Sequence, residues 1–427
     1  MERVAVILAA GQGTRMKSAS PKAAQKIGGC AMLQHLTATC AAVFDRVVVV
    51  VGPGMEALAE LAAPHAVVVQ QERLGTAHAA LQAAGCFGDG LCAIFYADNP
   101  LISEATMRGL LARAADGDAG LVLLGMRTNA PNKYGRIVLD GAYVSRIVEF
   151  ADASEAERGI ELCNAGGIAA AAADMRRWLR AVGNENAKGE YYLTDVLPQA
   201  RADGKNIAVV EAPFAECLGI NSRAELAAAE TVFQAAFRAA AMERGVAMIA
   251  PDTVYFSADT ALADDVVIGP FVVFGPGVRI EAGVEIKSFS HLEQCHVQAG
   301  AVIGPYARLR PGAQIGAGAH IGNFVEVKAS EIGAGAKVNH LTYIGDAEVG
   351  PGTNIGAGTI TCNYDGRKKH RTKIGANVFV GSNAALVAPV TVGDGAKIAA
   401  GSVITENVEA GALAIGRGRQ VNKPKRG

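Results

Sequence analysis

Two rhythms of apolar residues divide this chain. From Val4 to about Val210, short apolar runs alternate with segments whose apolar residues recur at helical spacing, which predicts a mostly parallel sheet covered by helices on both faces. Strands are expected at 4–8, 46–51, 67–70, 92–96 and 120–124. Helices are expected at 32–42, 55–62, 76–84 and 104–115, each rich in Ala and Leu with polar residues along one side. The stretch 222–245 is rich in Ala and Glu, has no internal Gly or Pro and ends at Gly245, which predicts one long helix with Ser222 near its N-cap.

After Asp252 the period becomes six. Ile268, Phe274, Ile280 and Ile286 share one register, Ile303, Leu309, Ile315, Ile321 and Val327 a second, and Ile374, Val380, Leu386, Val392, Ile398 and Ile404 a third. An apolar residue at every sixth position points into a narrow prism, and the Gly and Asn that follow many of them permit tight corners. This pattern resembles the hexapeptide-repeat family, whose chains wind as a left-handed parallel β-helix. Three hexads make a coil of about 18 residues, so on the order of eight to ten coils are expected. The expected plan is an α/β doubly wound domain over 1–221, a connecting helix over 222–250 and the β-helix with its tail over 251–427. Resemblance to the hexapeptide family also implies a homotrimer, a heterologous ring that closes on itself.

Charge excludes several partners. Lys plus Arg number 40 against 41 Asp plus Glu, which gives no chain-wide field for nucleic acid or an anionic membrane. The eight cysteines include no Cys-x-x-Cys pair, so neither a disulfide framework nor a structural zinc site is expected. The apolar stretch 4–10 is too short to span a membrane and runs into Gly11-Gln12-Gly13, so a cytoplasmic protein is expected.

The most informative short motif is Leu8-Ala9-Ala10-Gly11-Gln12-Gly13-Thr14-Arg15-Met16, followed by Ser20-Pro21-Lys22. Its glycines allow a tight turn that points N–H groups at phosphate oxygens, while Arg15 and Lys22 supply the charge a leaving pyrophosphate needs. A bare Gly-x-Gly is more often only a turn, but the full string with Pro21-Lys22 reverses that balance.

The string resembles the signature of sugar-nucleotide pyrophosphorylases. The resemblance implies nucleotide contacts from Leu8, Ala9, Ala10, Gly11 and Gly13, and a uracil-holding segment at Gln70 with Gly75 and Thr76. It places Tyr96 and Asp98 after an apolar strand, where ligands of doubly wound sheets gather. It further implies sugar contacts at Gly135, Glu149 and Asn164 and a Mg²⁺ site of Asp98 with Asn221, two hard oxygen donors. Substrates would be UTP and N-acetylglucosamine 1-phosphate. One departure stands out: relatives carry Gly before this Asp, whereas here Ala97 precedes Asp98 and Asn99 follows it, which puts the nucleotide's fit in question.

Within the repeats, polar clusters interrupt the pattern at 308–312, 323–328, 339–346 and 356–366. In this order they resemble the glucosamine-1-phosphate N-acetyltransferase half of the bifunctional enzymes that make UDP-N-acetylglucosamine. The resemblance assigns glucosamine 1-phosphate to Arg310, Lys328, Tyr343, Asn354 and Lys369, places Asn363 and Tyr364 at substrate and acetyl group, and puts Ser382, Ala400 and Arg417 on an acetyl-CoA surface. His340 is the expected base, because the ammonium must lose a proton before attacking the thioester and imidazole titrates near neutrality. An acyl-cysteine on Cys362 is the less favoured route. The stretch 363–370 loses its apolar positions and reads as an excursion loop, and the basic tail with Arg417, Arg419, Lys423, Lys425 and Arg426 as disordered beyond 420. A rival reading is a nucleotidyltransferase carrying a non-catalytic, oligomerising or regulatory β-helix; the set Arg310, Lys328, His340, Tyr343 and Asn363 argues against it.

Overall fold

The computed structural model describes residues 1–129, 132–186 and 188–424, so the tail cations Lys425 and Arg426 lie outside the described residues. The chain divides into two compact units, 1–233 and 234–427, and the boundary falls inside the helix Arg223–Glu243.

In the first unit one twisted sheet runs in the order Ile207–Ala212, Leu121–Arg127, Leu162–Ala171, Leu91–Tyr96, Arg3–Leu8, Arg46–Val51, Ala66–Val69. All neighbours are parallel except around Leu162–Ala171, which is antiparallel to both sides. The central strands are buried on both faces, as their unbroken Val, Ile and Ala runs require. Helices such as Met32–Val43 and Glu104–Ala115 cover one face and Thr76–Gln82 and Ala172–Ala181 the other, which gives two apolar layers. A hairpin, Arg136–Asp140 with Tyr143–Val148, joins the sheet through Arg136 opposite Cys163.

The second unit is a prism of three parallel sheets, with ten, eight and eight strands among the described residues. Each short strand pairs with the strand one coil further on, for example Ile303 with Ile321 and Leu309 with Val327. The six-residue period supplies the interior directly: Ile268, Ile286, Ile303, Ile321, Val338, Ile355, Val380 and Ile398 are all buried in one cluster. At the first coil, Gln234 clamps Phe256 by donating to its carbonyl (2.7 Å) and accepting its N–H (2.8 Å). Phe237, Phe256 and Phe274 stack at 4.7 and 4.8 Å beside this clamp.

Candidate active sites

The strand Arg3–Leu8 hands the chain to the glycine turn, and the turn decides how near Lys22 can come. Gly13 sits at φ 62°, and a Cβ there would lie 2.5 Å from Lys22 Cβ, so only glycine lets Lys22 approach this closely. A cleft of about 440 Å³ opens at the carboxyl ends of the strands, walled by residues 8–12, Lys22, Gln70, Gly75, Thr76, Tyr96, Ala97 and Asp98. Lys22 Nζ donates to Asp98 Oδ2 at 2.5 Å and to Asn221 Oδ1 at 3.0 Å, and Arg15 donates to that same Asn221 oxygen at 2.9 Å. Residues 199 positions apart in sequence thus converge on one ammonium. The backbone secures the arrangement, because Ile220 N–H donates to the Asp98 carbonyl at 2.9 Å, and Ser222 and Glu225 cap the helix that begins beside Asn221.

Gly75 lies at φ 117°, and a Cβ there would meet the Tyr191 carbonyl oxygen at 2.4 Å. Thr76 accepts from Leu193 N–H at 2.8 Å, and burial raises the Tyr96 phenol above its usual pKa. Ala97 is buried in the apolar layer while also bordering the cleft, and Asn99 donates to the Cys217 carbonyl at 3.1 Å.

The expected sugar contacts lie together on the strands around the hairpin. Asn164 N–H donates to the Gly135 carbonyl at 2.8 Å, and a Cβ on Gly135 would come within 3.4 Å of Glu149 Oε1. Burial, with Asp152 nearby, raises the Glu149 pKa. These residues do not line the glycine-turn cleft itself; the link is Tyr96, which walls the cleft and packs over Gly166. Arg136, nearly buried, holds the segment by donating to the Tyr134 carbonyl at 2.6 Å and to Asn132 Oδ1 at 2.8 Å, with its guanidinium 5.2 Å from the Phe150 ring centre.

Sequence reasoning missed Arg73. Its Nε donates to the Ala10 carbonyl at 2.9 Å, which fixes the glycine turn from the cleft side. The available signal was a cation set between Gln70 and Gly75. Gln12 and Glu190 also line the cleft.

On the prism, most of the residues expected to bind glucosamine 1-phosphate fall on two different sheets, His340 and Asn354 on one and Lys328 and Tyr343 on another. At one corner, His340 Nδ1 lies 2.7 Å from Asn323 Oδ1, its partner one coil back. An amide oxygen accepts, so Nδ1–H is the donor in this contact. A shallow cleft of about 460 Å³ borders His340, Asn323, Phe324 and Tyr306 but neither Arg310 nor Lys328. Asn354 stands on the strand after His340's, opposite Lys337.

At the second sheet, Lys328 Nζ pairs with both oxygens of Asp346 (3.0 and 3.1 Å), Asn363 donates to Asp346, and Arg310 pairs with Glu326 at 2.8 Å. Burial pushes the Asp346 carboxyl up, but hydrogen bonds from Lys328 and Asn363 outweigh it and hold the pKa low. Asp346 in turn raises the pKa of Lys328, and Lys328 lowers that of its neighbour Lys369. Tyr343 belongs to this group: its hydroxyl lies over Gly345, where a Cβ would fall 2.3 Å away, and 3.4 Å from the Asn363 amide. The interior position at this coil is Thr361, which accepts from Gly345 N–H at 2.8 Å and so sets the turn carrying Asp346. Tyr364 stands apart on the 363–370 loop and donates to the Gly366 carbonyl at 2.8 Å.

Ser382, Ala400 and Arg417 share a third location. Gly401 N–H donates to the Ser382 carbonyl and Arg417 to the Ala400 carbonyl, both at 2.8 Å. The Cys362 thiol touches only the Ile360 carbonyl at 4.0 Å, with no base beside it among the described residues. Among the described residues no cluster of three His, Cys, Asp or Glu could hold a metal, and no helix is long and apolar enough to cross a membrane.

Known proteins share this organisation. The MobA-like NTP transferase domain matches residues 5–177, and the bacterial transferase hexapeptide repeat matches 294–329 and 371–406, which makes the prism a left-handed β-helix. A bifunctional protein GlmU of Acidiphilium cryptum is 63% identical over 100% of this chain and 98% of its own length. Those of Gluconacetobacter diazotrophicus and Granulibacter bethesdensis are 62% and 60% identical, each over 99% of this chain and 93% and 94% of their own. The chain therefore belongs to the bifunctional GlmU family, enzymes that join an acetyltransferase to a uridylyltransferase in the synthesis of UDP-N-acetylglucosamine.

Proposed function

We propose that the glycine-turn cleft carries out uridylyl transfer and the prism acetyl transfer. In the cleft, an oxygen of N-acetylglucosamine 1-phosphate attacks the α-phosphorus of UTP in line, the bond to the bridging oxygen breaks, and pyrophosphate leaves. Arg15, Lys22 and the N–H groups of the turn neutralise charge that develops on the phosphates, so the protein positions and stabilises rather than donating a nucleophile. Gln70 meets the uracil, and Gly135, Glu149 and Asn164 meet the sugar.

Asp98 and Asn221 fit a hard cation. Both donors are oxygens, and both already point at one positive charge, the Lys22 ammonium. A Mg²⁺ held there, its other positions taken by phosphate and water, would add charge neutralisation. The single observation that carries the reading is this convergence of Lys22, Asp98 and Asn221 beside a glycine turn.

On the prism, His340 Nε2 accepts a proton from the amine of glucosamine 1-phosphate, the amine nitrogen attacks the acetyl-CoA carbonyl, and the thiolate leaves and is protonated. Asn323 keeps His340 in the basic tautomer. Arg310, Lys328, Tyr343, Asn354 and Lys369 bind the sugar phosphate, Asn363 and Tyr364 lie by the acetyl group, and Ser382, Ala400 and Arg417 face the coenzyme.

The protein acts as a homotrimer. Phe271, Phe289, Tyr306 and Phe324 stack at 5.0, 4.9 and 5.1 Å along one corner, each about half exposed, and Leu341 continues the stripe beside His340. An apolar stripe of this length next to a base separated from its phosphate cluster is what a neighbouring copy would cover and complete.

Purified protein given glucosamine 1-phosphate and acetyl-CoA is expected to release CoA thiol, and His340→Ala to lower that rate by about 10²- to 10⁴-fold while leaving pyrophosphate release intact. An unaffected rate in His340→Ala removes His340 from the mechanism.

A further inference from the structure

Gln70 is held by two neighbours, and the second has a consequence for which base is accepted. Its side chain is buried, at 2% exposure, and its amide nitrogen lies 3.0 Å from the Gly75 carbonyl oxygen and 3.0 Å from His78 Nδ1. A carbonyl only accepts, so the group facing Gly75 is the NH₂; this orients the amide independently of the ring. The second hydrogen points at His78 Nδ1, which must then be the unprotonated nitrogen, with the ring proton on Nε2. Nε2 lies 3.2 Å from the side-chain nitrogen of the exposed Gln82, which also donates to the His78 carbonyl at 3.3 Å; a proton on Nε2 requires that exposed amide to reverse so that its oxygen accepts. With both amide hydrogens engaged, Gln70 offers the cleft its carbonyl oxygen, which no donor among the described residues reaches.

We propose that His78 is a positioning residue for base selection, keeping the Gln70 oxygen turned to the nucleotide so that the site takes a base whose edge offers a ring N–H. Uracil N3 carries that proton; cytosine N3 presents a lone pair and is refused. The proposal rests on the reading of Gln70 as the uracil contact. His78 itself does not line the cleft; it sits on the helix Thr76–Gln82 with its ring 6.2 Å from that of Tyr191. Removing the ring acceptor lets the amide spend part of its time reversed, with NH₂ toward the base.

The test measures kcat/KM by pyrophosphate release with UTP and with CTP, on the full chain and on His78→Leu, His78→Asn and Gln70→Ala. His78→Leu is expected to narrow the UTP-to-CTP ratio by roughly five-fold or more, the worth of one hydrogen bond, chiefly through KM for UTP. His78→Asn, whose side-chain oxygen accepts in place of Nδ1, is expected to recover most of the ratio, and CoA release is expected to be unchanged throughout. A normal ratio in His78→Leu together with a collapsed one in Gln70→Ala overturns the role of His78 and leaves Gln70 as the base contact. A normal ratio in Gln70→Ala overturns the reading of Gln70 and the proposal with it. A ratio lost in His78→Leu and not recovered in His78→Asn assigns the effect to packing on Tyr191 and overturns the hydrogen-bond account. Should His78→Leu fail to fold, ¹⁵N spectra of the unmutated protein decide: an unprotonated His78 Nδ1 is expected, and a protonated one overturns the proposal.

Discussion

Asp98→Asn separates the two activities most sharply. The substitution keeps the side chain's shape and one oxygen but removes the charge that faces Lys22 at 2.5 Å, in a pair whose side chains are only 17% and 22% exposed. Breaking a fully buried pair costs about 3–5 kcal/mol and an exposed one under about 1 kcal/mol. With Asn221 still accepting from Lys22 at 3.0 Å, the loss of stability here should be about 2 kcal/mol. For a unit of this size that lowers its unfolding midpoint by roughly 4–8 °C. The kinetic cost is larger if Asp98 orients Lys22 and holds the cation as proposed, because losing preorganised charge stabilisation costs about 10²–10³ in kcat, or roughly 3–4 kcal/mol. Pyrophosphate release from UTP and N-acetylglucosamine 1-phosphate, and CoA release from acetyl-CoA and glucosamine 1-phosphate, are to be measured on one preparation. The first should fall at least about 100-fold and the second stay within about two-fold. Retention of more than about a tenth of the pyrophosphate rate would refute the assignment of Asp98, and equal loss of both rates would show that the change acts through folding.

Local geometry sets two further outcomes. Gly75→Ala forces a Cβ into a left-handed backbone at φ 117° and to 2.4 Å from the Tyr191 carbonyl, so it should cost about 3 kcal/mol or more and raise KM for UTP; a variant with wild-type melting and KM would show that the segment 73–76 adapts freely. Asp365 accepts the N–H of Lys368, the His370 ring and the N–H of Arg367, each at 2.7 Å, and these hold its pKa at about 2 against 3.8 when free. Because the folded value is depressed, its support of the 363–370 loop is fully present above pH 3.8 and is lost as pH falls through about 2, so a carboxyl ¹³C titration should show Asp365 ionised at pH 3, and a midpoint near 3.8 would contradict the loop geometry.

Period and punctuation made part of the fold legible in the sequence. The strands at 4–8, 46–51 and 92–96 and the hexad interior are unbroken or strictly repeating apolar series, and the structure buries them as such. The strand Leu162–Ala171 was not foreseen, since LCNAGGIAAA has little β-propensity and owes its place to two flanking strands that leave no other slot. The hairpin Arg136–Asp140 with Tyr143–Val148 and the strand Ile207–Ala212 were likewise unpredicted, being short and half polar.

The site residues divide by the same logic. Those marked by backbone necessity, Gly13 and Gly75, could be read from the motif, because a tight turn admits nothing larger. Those that act through a second side chain could not: Arg73 bonds a carbonyl 63 residues away, Asn323 orients His340 from 17 residues back, and Asp346 draws Lys328 and Asn363 from either side. In the prism this limit is physical, since each coil places residues one turn apart in sequence side by side in space, and any of the three faces could carry the partner. The repeat therefore fixes which residues are neighbours only once the corners are known. Here the corners are set by left-handed residues such as Phe324, Leu341 and Asp346, which carry no glycine to announce them. Their side chains had to be placed by the fold before His340 could be seen beside Asn323 on one sheet and the Lys328–Asp346 pair beside the next.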